Sequence, residues 1–177
     1  MKTKYTKMHS NGNEFLITED IKQILNTKKL ANKEKGVGFD QLLCIKNKKP
    51  YEVLVFNSDG SEADMCMNGV RSVGAFFWKD SIAPKKPLLL GTKSKPMLVK
   101  PTHSKKVKLV LELPSQEEIP KAEAKFLKKC GLKKYKFINA GNRHLIIERK
   151  KIFSYDLDEL SSKLRKRKFF KDVNISL

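Results

Sequence analysis

Short runs of apolar and β-branched residues recur through the first 113 positions of the chain, and each run predicts a strand. The run from Val107 to Leu113 is the clearest, because its alternate residues are valine or leucine and would share one buried face. The predicted strands cover residues 4–9, 14–18, 41–45, 52–57, 87–91, 96–100 and 107–113. The pattern therefore predicts a first part of the chain that is rich in short strands.

Two helices are predicted to interrupt these strands, at residues 21–31 and 66–79. In the second helix, Val70, Val73 and Phe77 recur at helical spacing, and polar residues almost disappear from its second half. We therefore expect this helix to be buried on most sides, as if a sheet enclosed it.

A polar stretch that contains prolines, residues 114–120, predicts the boundary between two domains. The first domain would cover residues 1–115, and residues 116–177 would form the beginning of a second. In this second part the pattern predicts helices at 121–130 and 156–166, and strands at 136–139, 144–148 and 173–177.

Composition predicts a folded and strongly basic protein. Of the 177 residues, 40% are hydrophobic and 32% are charged, and the formal net charge is +19. The periodic apolar segments argue against disorder. The positive charge comes mostly from lysine, whereas specific recognition of phosphates or bases usually relies on arginine. We therefore expect no specific nucleic-acid partner.

The sequence predicts neither a secretory signal nor a membrane span. The lysines of the amino-terminal residues are not followed by an apolar signal core. No run approaches the roughly 18 apolar residues that cross a bilayer. We therefore expect a cytoplasmic protein without a membrane partner.

The three cysteines, Cys44, Cys66 and Cys130, are far apart in the sequence and form no CxxC pair. This pattern argues against a disulfide framework and against a zinc site. The apolar neighbours of Cys44 predict core packing, and Cys130 falls at the end of a predicted helix. Cys66 remains as the candidate for chemistry.

Cys66 lies in the segment FNSDGSEADMCMNGVR, residues 56–71, after a strand end and a Ser-Asp-Gly turn and at the start of the buried helix. Backbone N–H groups at a helix start bind anions, and the same environment favours the thiolate form of a cysteine. Cys66 could therefore be a thiolate beside a bound carboxylate. The alternative is a small buried cysteine that only caps the helix.

Four stretches, in this order, favour a reactive Cys66 because together they resemble one known family. They read KMHSNGNEF at 7–15, GVGFDQLL at 36–43, FNSDGSEADMCMNGVR at 56–71 and AGNRH at 140–144, with a weaker fifth, FFKDVN, at 169–174. In these motifs the chain resembles the diaminopimelate epimerases. The resemblance implies an α+β fold of two similar domains, each a curved, mostly antiparallel sheet wrapped around a central helix.

The resemblance also implies a reaction, the interconversion of LL- and meso-diaminopimelate during synthesis of lysine and peptidoglycan precursors. In this family two cysteines act on opposite faces of the substrate's α-carbon. One removes the α-proton as a thiolate, and the other, as a thiol, delivers a proton from the far side. No pyridoxal phosphate, metal or other cofactor takes part. Cys66 matches the cysteine of the first domain, and the implied partner is a small amino acid, diaminopimelate.

Matched positions imply further site residues in the first domain. Asn13, Gln41 and Asn57 match residues that line the substrate pocket. Asn68 matches a residue beside the catalytic cysteine, whose backbone N–H helps to hold the reacting carboxylate. Amides suit a zwitterionic substrate because they donate and accept hydrogen bonds without a titrating charge.

The second domain contributes matched residues as well. Asn142 and Asn174 match asparagines that contact the substrate, and His144 matches a histidine near the cysteines. Arg143 stands where the family has proline, which loosens the turn and adds a cation.

Met67, which follows Cys66, matches a substrate-binding position where the family has glycine. Its side chain could block the approach of the carboxylate, or it could be incompatible with a backbone angle that only glycine adopts. Ser72 replaces a second, noncatalytic cysteine, which is a mild change.

The family's second catalytic cysteine, and a glutamate-arginine pair that grips the distal end of the substrate, would lie beyond Leu177. A chain with one catalytic thiol can return the proton only to the face it left. We therefore expect this truncated chain to be inactive alone, and its candidate protein partners are a second copy in a homodimer or a complementing second-half chain. The alternative is a degenerate, noncatalytic relative that acts as a basic binding or assembly module, which Met67 favours.

Overall fold

A computed structural model describes residues 4–48, 50–104, 106–150 and 152–177. The chain divides into two compact units, Met1–Leu111 and Glu112–Leu177. Within the described ranges, no helix is long and apolar enough to cross a membrane.

The first unit contains a five-stranded sheet in the order β1-β2-β3-β4-β5. The strands are β1 Tyr5–Ser10, β2 Asn13–Thr18, β3 Gln41–Lys48, β4 Tyr51–Asn57 and β5 Glu62–Ala63. Strands β2 and β3 are parallel, and the other neighbours are antiparallel. Between β2 and β3 the chain forms a 3-10 helix, Ile21–Asn26, and the short helix α1, Thr27–Ala31.

A second, antiparallel sheet of the first unit consists of β6 Leu88–Leu90, β7 Met97–Pro101 and β8 Val107–Val110. The helix α2, Met67–Lys79, contacts strands of both sheets. Its buried residues pack in one core with Phe15, Ile17 and Leu43 of the first sheet and Val99 of the second. The prediction of a helix enclosed by sheet is confirmed.

The structure corrects two predictions in this unit. The predicted helix at 21–31 is a 3-10 turn followed by α1, and the Thr27 hydroxyl donates to the Ile24 carbonyl at 2.7 Å where the two meet. The strand predicted at 107–113 ends at Val110, and Leu113 is 95% exposed. Its pairing with β7 stops at Val110, which is opposite Leu98.

The second unit has a four-stranded sheet in the order β12-β11-β10-β9. Its elements are β9 Ser115–Gln116, α3 Lys121–Lys129, β10 Tyr135–Asn139, β11 Arg143–Ile147, α4 Leu157–Arg165 and β12 Asn174–Ser176, with 3-10 helices at Ile152–Ser154 and Lys168–Phe170. A separate core holds this unit together, formed by Leu127, Leu132, Phe137, Leu145, Ile147, Leu164, Phe170 and Val173.

The elements predicted for the second unit are found with small shifts of their ends. The exception is the polar stretch 114–120, because it contains β9, which pairs with β10 and is therefore part of the sheet. Both units combine helices with mainly antiparallel sheets, so the predicted α+β class is confirmed.

Candidate active site

Cys66 is the N-cap residue of α2, with extended backbone angles of φ −141° and ψ 113°. Its Sγ accepts a hydrogen bond from the Gly69 N–H at 3.4 Å. The thiol therefore takes the place of the oxygen that usually caps a helix. The residue is half-buried at the positive end of α2 and packs against the edge of the main core of the first unit.

Gly69 allows this helix start to lie directly against the sheet. A Cβ at this position would lie 2.9 Å from Leu43 Cδ2 and 3.4 Å from Cys66 Cβ. Leu43 on β3 is fully buried and has little room to move. The missing side chain therefore fixes the first turn of α2, and Cys66 with it, against β3.

The start of α2 presents free backbone donors. The first N–H groups of a helix have no acceptor within the helix. The Gly69 N–H is bound by the Cys66 sulfur, whereas the N–H groups of Met67 and Asn68 find no acceptor among the described residues. Such donors at the positive end of a helix attract carboxylates.

Asn68 ties the start of α2 to the start of β2. Its Nδ2 donates to Asn13 Oδ1 at 2.7 Å. Its Oδ1 accepts from Asn11 Nδ2 at 3.3 Å and from the Arg71 guanidinium. Asn11 has a positive φ of 52° in the turn between β1 and β2, a conformation that asparagine tolerates well.

A second pair of amides joins β3 to β4. Gln41 Nε2 donates to Asn57 Oδ1 at 2.9 Å, and Asn57 Nδ2 donates to Ser61 Oγ at 3.1 Å. The hydroxyl and backbone N–H of Ser61 in turn donate to Asp59, which lowers the pKa of this exposed carboxyl. Gln41 Oε1 is buried and has no partner among the described residues.

These amides lie at one end of the first sheet. Asn13 begins β2 and Gln41 begins the parallel strand β3, whereas Asn57 ends the antiparallel strand β4. Because Asn68 binds Asn13, the start of α2 meets the same end. The structure thus joins the predicted amides in two hydrogen-bonded pairs at this end of the sheet, Asn68 with Asn13 beside the start of α2 and Gln41 with Asn57.

Met67 is the first residue of α2, and its half-buried side chain packs against the main core of the first unit. Among the described residues other than glycine, positive φ angles occur at Asn11 and Ser81, so Met67 has an ordinary helical backbone. The expected conflict with a glycine-only angle is therefore absent. Met67 nevertheless directly follows Cys66, and its own backbone N–H is one of the two free donors.

In the second unit, Asn142, His144 and Asn174 also lie together. His144 Nε2 and Asn142 Oδ1 are 2.8 Å apart, and His144 is directly opposite Asn174 on the neighbouring parallel strand. Burial lowers the pKa of His144, so the neutral ring is favoured, with its Nε2–H donating to Asn142. The three predicted residues therefore lie close together, with Asn142 in the turn before β11, His144 on β11 and Asn174 at the start of β12.

Arg143, which stands in place of the family's proline, has a structural role in this unit. Its Nε lies 3.3 Å from Glu117 Oε2, and Glu117 Oε1 accepts from Asn139 Nδ2 at 2.8 Å. Gly141, in the turn between β10 and β11, has a φ of 105°. The turn is therefore held by an ion pair and by a positive φ that glycine alone adopts easily.

The other two thiols are placed as the sequence predicted. Cys44 is fully buried on β3, and burial together with the charge of Asp20 raises the pKa of its thiol to about 11. Cys130 ends α3 and packs against the core of the second unit. Within the part of the chain that the structure describes, no group of three or more His, Cys, Asp or Glu residues is arranged to hold a metal ion.

Two of the residues that hydrogen-bond to the Asn68 side chain were not predicted from the sequence. Asn11 and Arg71 both bind Asn68 Oδ1. Arg71 is three residues after Asn68 on α2, and this helical spacing is the signal that could have found it. Asn11 is 57 positions away from Asn68, and nothing in the sequence predicts that contact.

Comparison with known proteins agrees with this geometry. The sequence matches the diaminopimelate epimerase family over residues 5–112. The chain belongs to the diaminopimelate epimerase family. The match contains Cys66 and every site residue of the first unit, and the family is one of amino-acid isomerases.

Relatives in this family extend the similarity over nearly all of the chain. A diaminopimelate epimerase of Wigglesworthia glossinidia brevipalpis is 33% identical over 209 aligned positions, covering 98% of this chain and 70% of that protein. A diaminopimelate epimerase of Coxiella burnetii is 31% identical, covering 93% of this chain and 66% of that protein. The chain thus spans about two thirds of the length of the curated relatives that it matches.

Solved structures support the fold. A protein of Pseudomonas aeruginosa described as a predicted epimerase superposes with a TM-score of 0.64 at 12% identity, covering 92% of this chain and 67% of that one. At this identity the likeness concerns the fold alone, and the predicted epimerase-like fold is confirmed.

Proposed function

We propose that this chain acts in a cofactor-independent epimerase that interconverts LL- and meso-diaminopimelate, with Cys66 as one of its two catalytic thiols. One observation carries the proposal. The half-buried Cys66 sulfur lies at the start of α2, beside two free backbone N–H groups and the linked amides of Asn68 and Asn13.

In this proposal the start of α2 holds the α-carboxylate of the substrate. The N–H groups of Met67 and Asn68 donate to its oxygens, next to Cys66. Negative charge that develops on the carboxylate when the α-proton leaves is stabilised by the same donors. The arrangement therefore favours proton removal as well as binding.

The reaction is a balanced transfer of two protons. The Cys66 thiolate takes the α-proton and becomes a thiol, and the electron pair of the broken C–H bond spreads into the carboxylate. A second thiol, on the opposite face, gives a proton to the α-carbon and becomes a thiolate. In the reverse direction the two sulfurs exchange roles, so nothing is oxidised or reduced.

Amides recognise the remainder of the substrate in this proposal. Asn13, Gln41 and Asn57 serve in the first unit, and Asn142 and Asn174 serve in the second. Neutral amides can meet both the ammonium and the carboxylate groups of diaminopimelate.

The second thiol is proposed to come from another segment or subunit, because neither remaining cysteine of these 177 residues suits the role. Cys44 is fully buried, and Cys130 is the C-cap residue of α3, where the negative end of the helix disfavours a thiolate. A complementing chain with the family's second cysteine motif would provide it. We therefore expect no inversion by a polypeptide of these 177 residues alone.

The test is incubation with LL-diaminopimelate in deuterated water, followed by analysis of α-deuterium and of the meso isomer. We expect at most slow deuterium uptake by the 177-residue chain, and meso product once a polypeptide carrying the second cysteine motif is added. Cys66→Ser should abolish both, whereas the matched variant Cys130→Ser should retain them. Product formation that survives Cys66→Ser would refute the proposal.

A noncatalytic binding or assembly module remains the competing function. The one departure beside Cys66 that supports it is Met67, which stands where the family has glycine, directly after the cysteine. Failure of the complemented chain to take up any deuterium would favour this second function.

A further inference from the structure

We propose that Arg71 is a positioning residue, which fixes the orientation of the Asn68 and Asn13 amides in the candidate active site. The resemblance to the family gives this arginine no role. The effect on substrate binding rests on the proposed function, whereas the effect on amide orientation does not.

The Arg71 guanidinium determines the orientation of the Asn68 side-chain amide. A guanidinium only donates hydrogen bonds, and an amide accepts through its oxygen alone. Since Arg71 donates to Asn68, the oxygen must face the arginine, and Asn11 Nδ2 reaches the same oxygen at 3.3 Å. The amide nitrogen of Asn68 is therefore left to donate to Asn13 Oδ1, at 2.7 Å.

The orientation passes from Asn68 to Asn13. Because Asn13 Oδ1 accepts from Asn68, the Asn13 nitrogen is left for other partners, and it has no acceptor among the described residues. This NH2 group offers two donors and no acceptor. It suits a carboxylate, and an inverted amide would instead direct oxygen towards the same negative charge.

Arg71 differs from three arginines of the second unit in its partners. The Arg167 guanidinium donates to both carboxylate oxygens of Glu123, and Arg143 pairs with Glu117. Arg149 stacks on the ring of Tyr155, with its Cζ 4.8 Å from the ring centroid. Within the described ranges, Arg71 forms no ion pair with a carboxylate. Arg71 instead donates to the neutral amide of Asn68, so this donor orients that amide.

The first experiment measures orientation without any ligand. Side-chain amide resonances are recorded by ¹⁵N NMR for the 177-residue chain, for Arg71→Met and Arg71→Lys, and for Lys79→Met. Lys79 is exposed at the other end of α2, so its variant controls for loss of a positive charge from the same helix. Arg71→Lys retains a cation and a hydrogen-bond donor. It therefore tests the loss of the guanidinium with less disturbance of the fold than Arg71→Met.

We expect Arg71→Met to shift the NH2 resonances of both Asn68 and Asn13, Arg71→Lys to shift them less, and Lys79→Met to leave them in place. Unchanged Asn13 resonances in Arg71→Met and Arg71→Lys would overturn the proposal.

The second experiment measures the consequence for binding, as the dissociation constant of LL-diaminopimelate by calorimetry. Arg71→Met should weaken binding about tenfold, as expected when the Asn13 NH2 group is no longer oriented to donate to the ligand, and Arg71→Lys should restore part of the affinity. The melting temperature should change little in either variant. Weaker binding that occurs only with a large fall in melting temperature would mean a structural role and would overturn the proposal.

The two experiments separate the two claims. If the parent chain does not bind LL-diaminopimelate although the amide resonances shift as expected, the proposed substrate is wrong and Arg71 still orients the amides. If the parent binds and neither Arg71 variant alters the resonances or the affinity, the substrate stands and the role of Arg71 is refuted.

Discussion

Gln41 donates its side-chain amide to Asn57 at 2.9 Å, while its own Oε1 is buried without a partner among the described residues. A buried acceptor without a donor costs about 1–3 kcal/mol, which exceeds the net contribution of about 1 kcal/mol from one hydrogen bond. The pair therefore stabilises the fold poorly, and a bound ligand with a donor group, such as an ammonium, would satisfy it.

Replacement of Gln41 by methionine should consequently separate stability from binding. Gln41→Met removes both the unpaired oxygen and the bond to Asn57, so the free energy of unfolding should change by less than about 1 kcal/mol. Binding of LL-diaminopimelate should weaken about tenfold, because a polar contact is lost. Chemical denaturation and calorimetry measure the two effects. A loss of stability with unchanged affinity would contradict a ligand-binding role.

Gly69→Ala tests the close contact between α2 and β3. Alanine favours a helix by up to about 1 kcal/mol over glycine, but its Cβ would lie 2.9 Å from Leu43 Cδ2 in a fully buried site. We expect a net loss of about 1–3 kcal/mol in the free energy of unfolding, since overpacking outweighs propensity. A double-mutant cycle with Leu43→Ala should show that the added cost of Gly69→Ala disappears. Additive losses would mean that this contact does not set the helix position.

Met67→Gly tests whether the side chain beside Cys66 limits binding. The variant loses helix propensity and a half-buried contact with the core, so stability should fall by about 1 kcal/mol or more. Affinity for LL-diaminopimelate should nevertheless rise, because the approach to the free N–H groups is opened. Met67→Ala should lie between the parent and Met67→Gly in both measurements. Equal affinity in all three proteins would show that Met67 leaves the carboxylate site accessible.

The buried Cys44 thiol should make the free energy of unfolding fall at alkaline pH. Burial, with a smaller effect of the Asp20 charge, raises the pKa of its thiol from 9.0 to about 11. Between these values the unfolded chain loses the proton and the folded chain keeps it, so stability falls as pH rises. The loss amounts to at most about 3 kcal/mol. Cys44→Ala should show a smaller decline between pH 9 and 11, and parallel curves for the two proteins would contradict the assignment.

Much of the first unit could be predicted from local sequence patterns. The strands β2, β3 and β4 were predicted within three residues at each end, because each is a short apolar run that ends near a polar or turn-forming segment. The position of Cys66 at a helix start followed from the turn at Ser58–Gly60 and from the apolar spacing after Val70. Both signals lie within a few residues of the element that they specify.

Contacts between residues that are far apart in the chain could not be predicted from the sequence. Asn13 and Asn68 are 55 positions apart, and their hydrogen bond depends on how α2 packs against the first sheet. Leu111 and Leu113 continue the alternation of β8 but are exposed, because the length of a strand depends on its partner as well as on its own pattern. The role of Arg71 likewise cannot be read from the sequence, because it depends on which atom of the Asn68 amide faces the guanidinium.

The most direct test of the central claim is the rate at which iodoacetamide alkylates each cysteine of the 177-residue chain, measured by peptide mass spectrometry with and without LL-diaminopimelate. The half-buried Cys66 should react much faster than the fully buried Cys44, and the amino acid should slow only the reaction of Cys66. If Cys66 reacts as slowly as Cys44, or at a rate that saturating LL-diaminopimelate leaves unchanged, its sulfur does not face a substrate site and the proposed function is wrong.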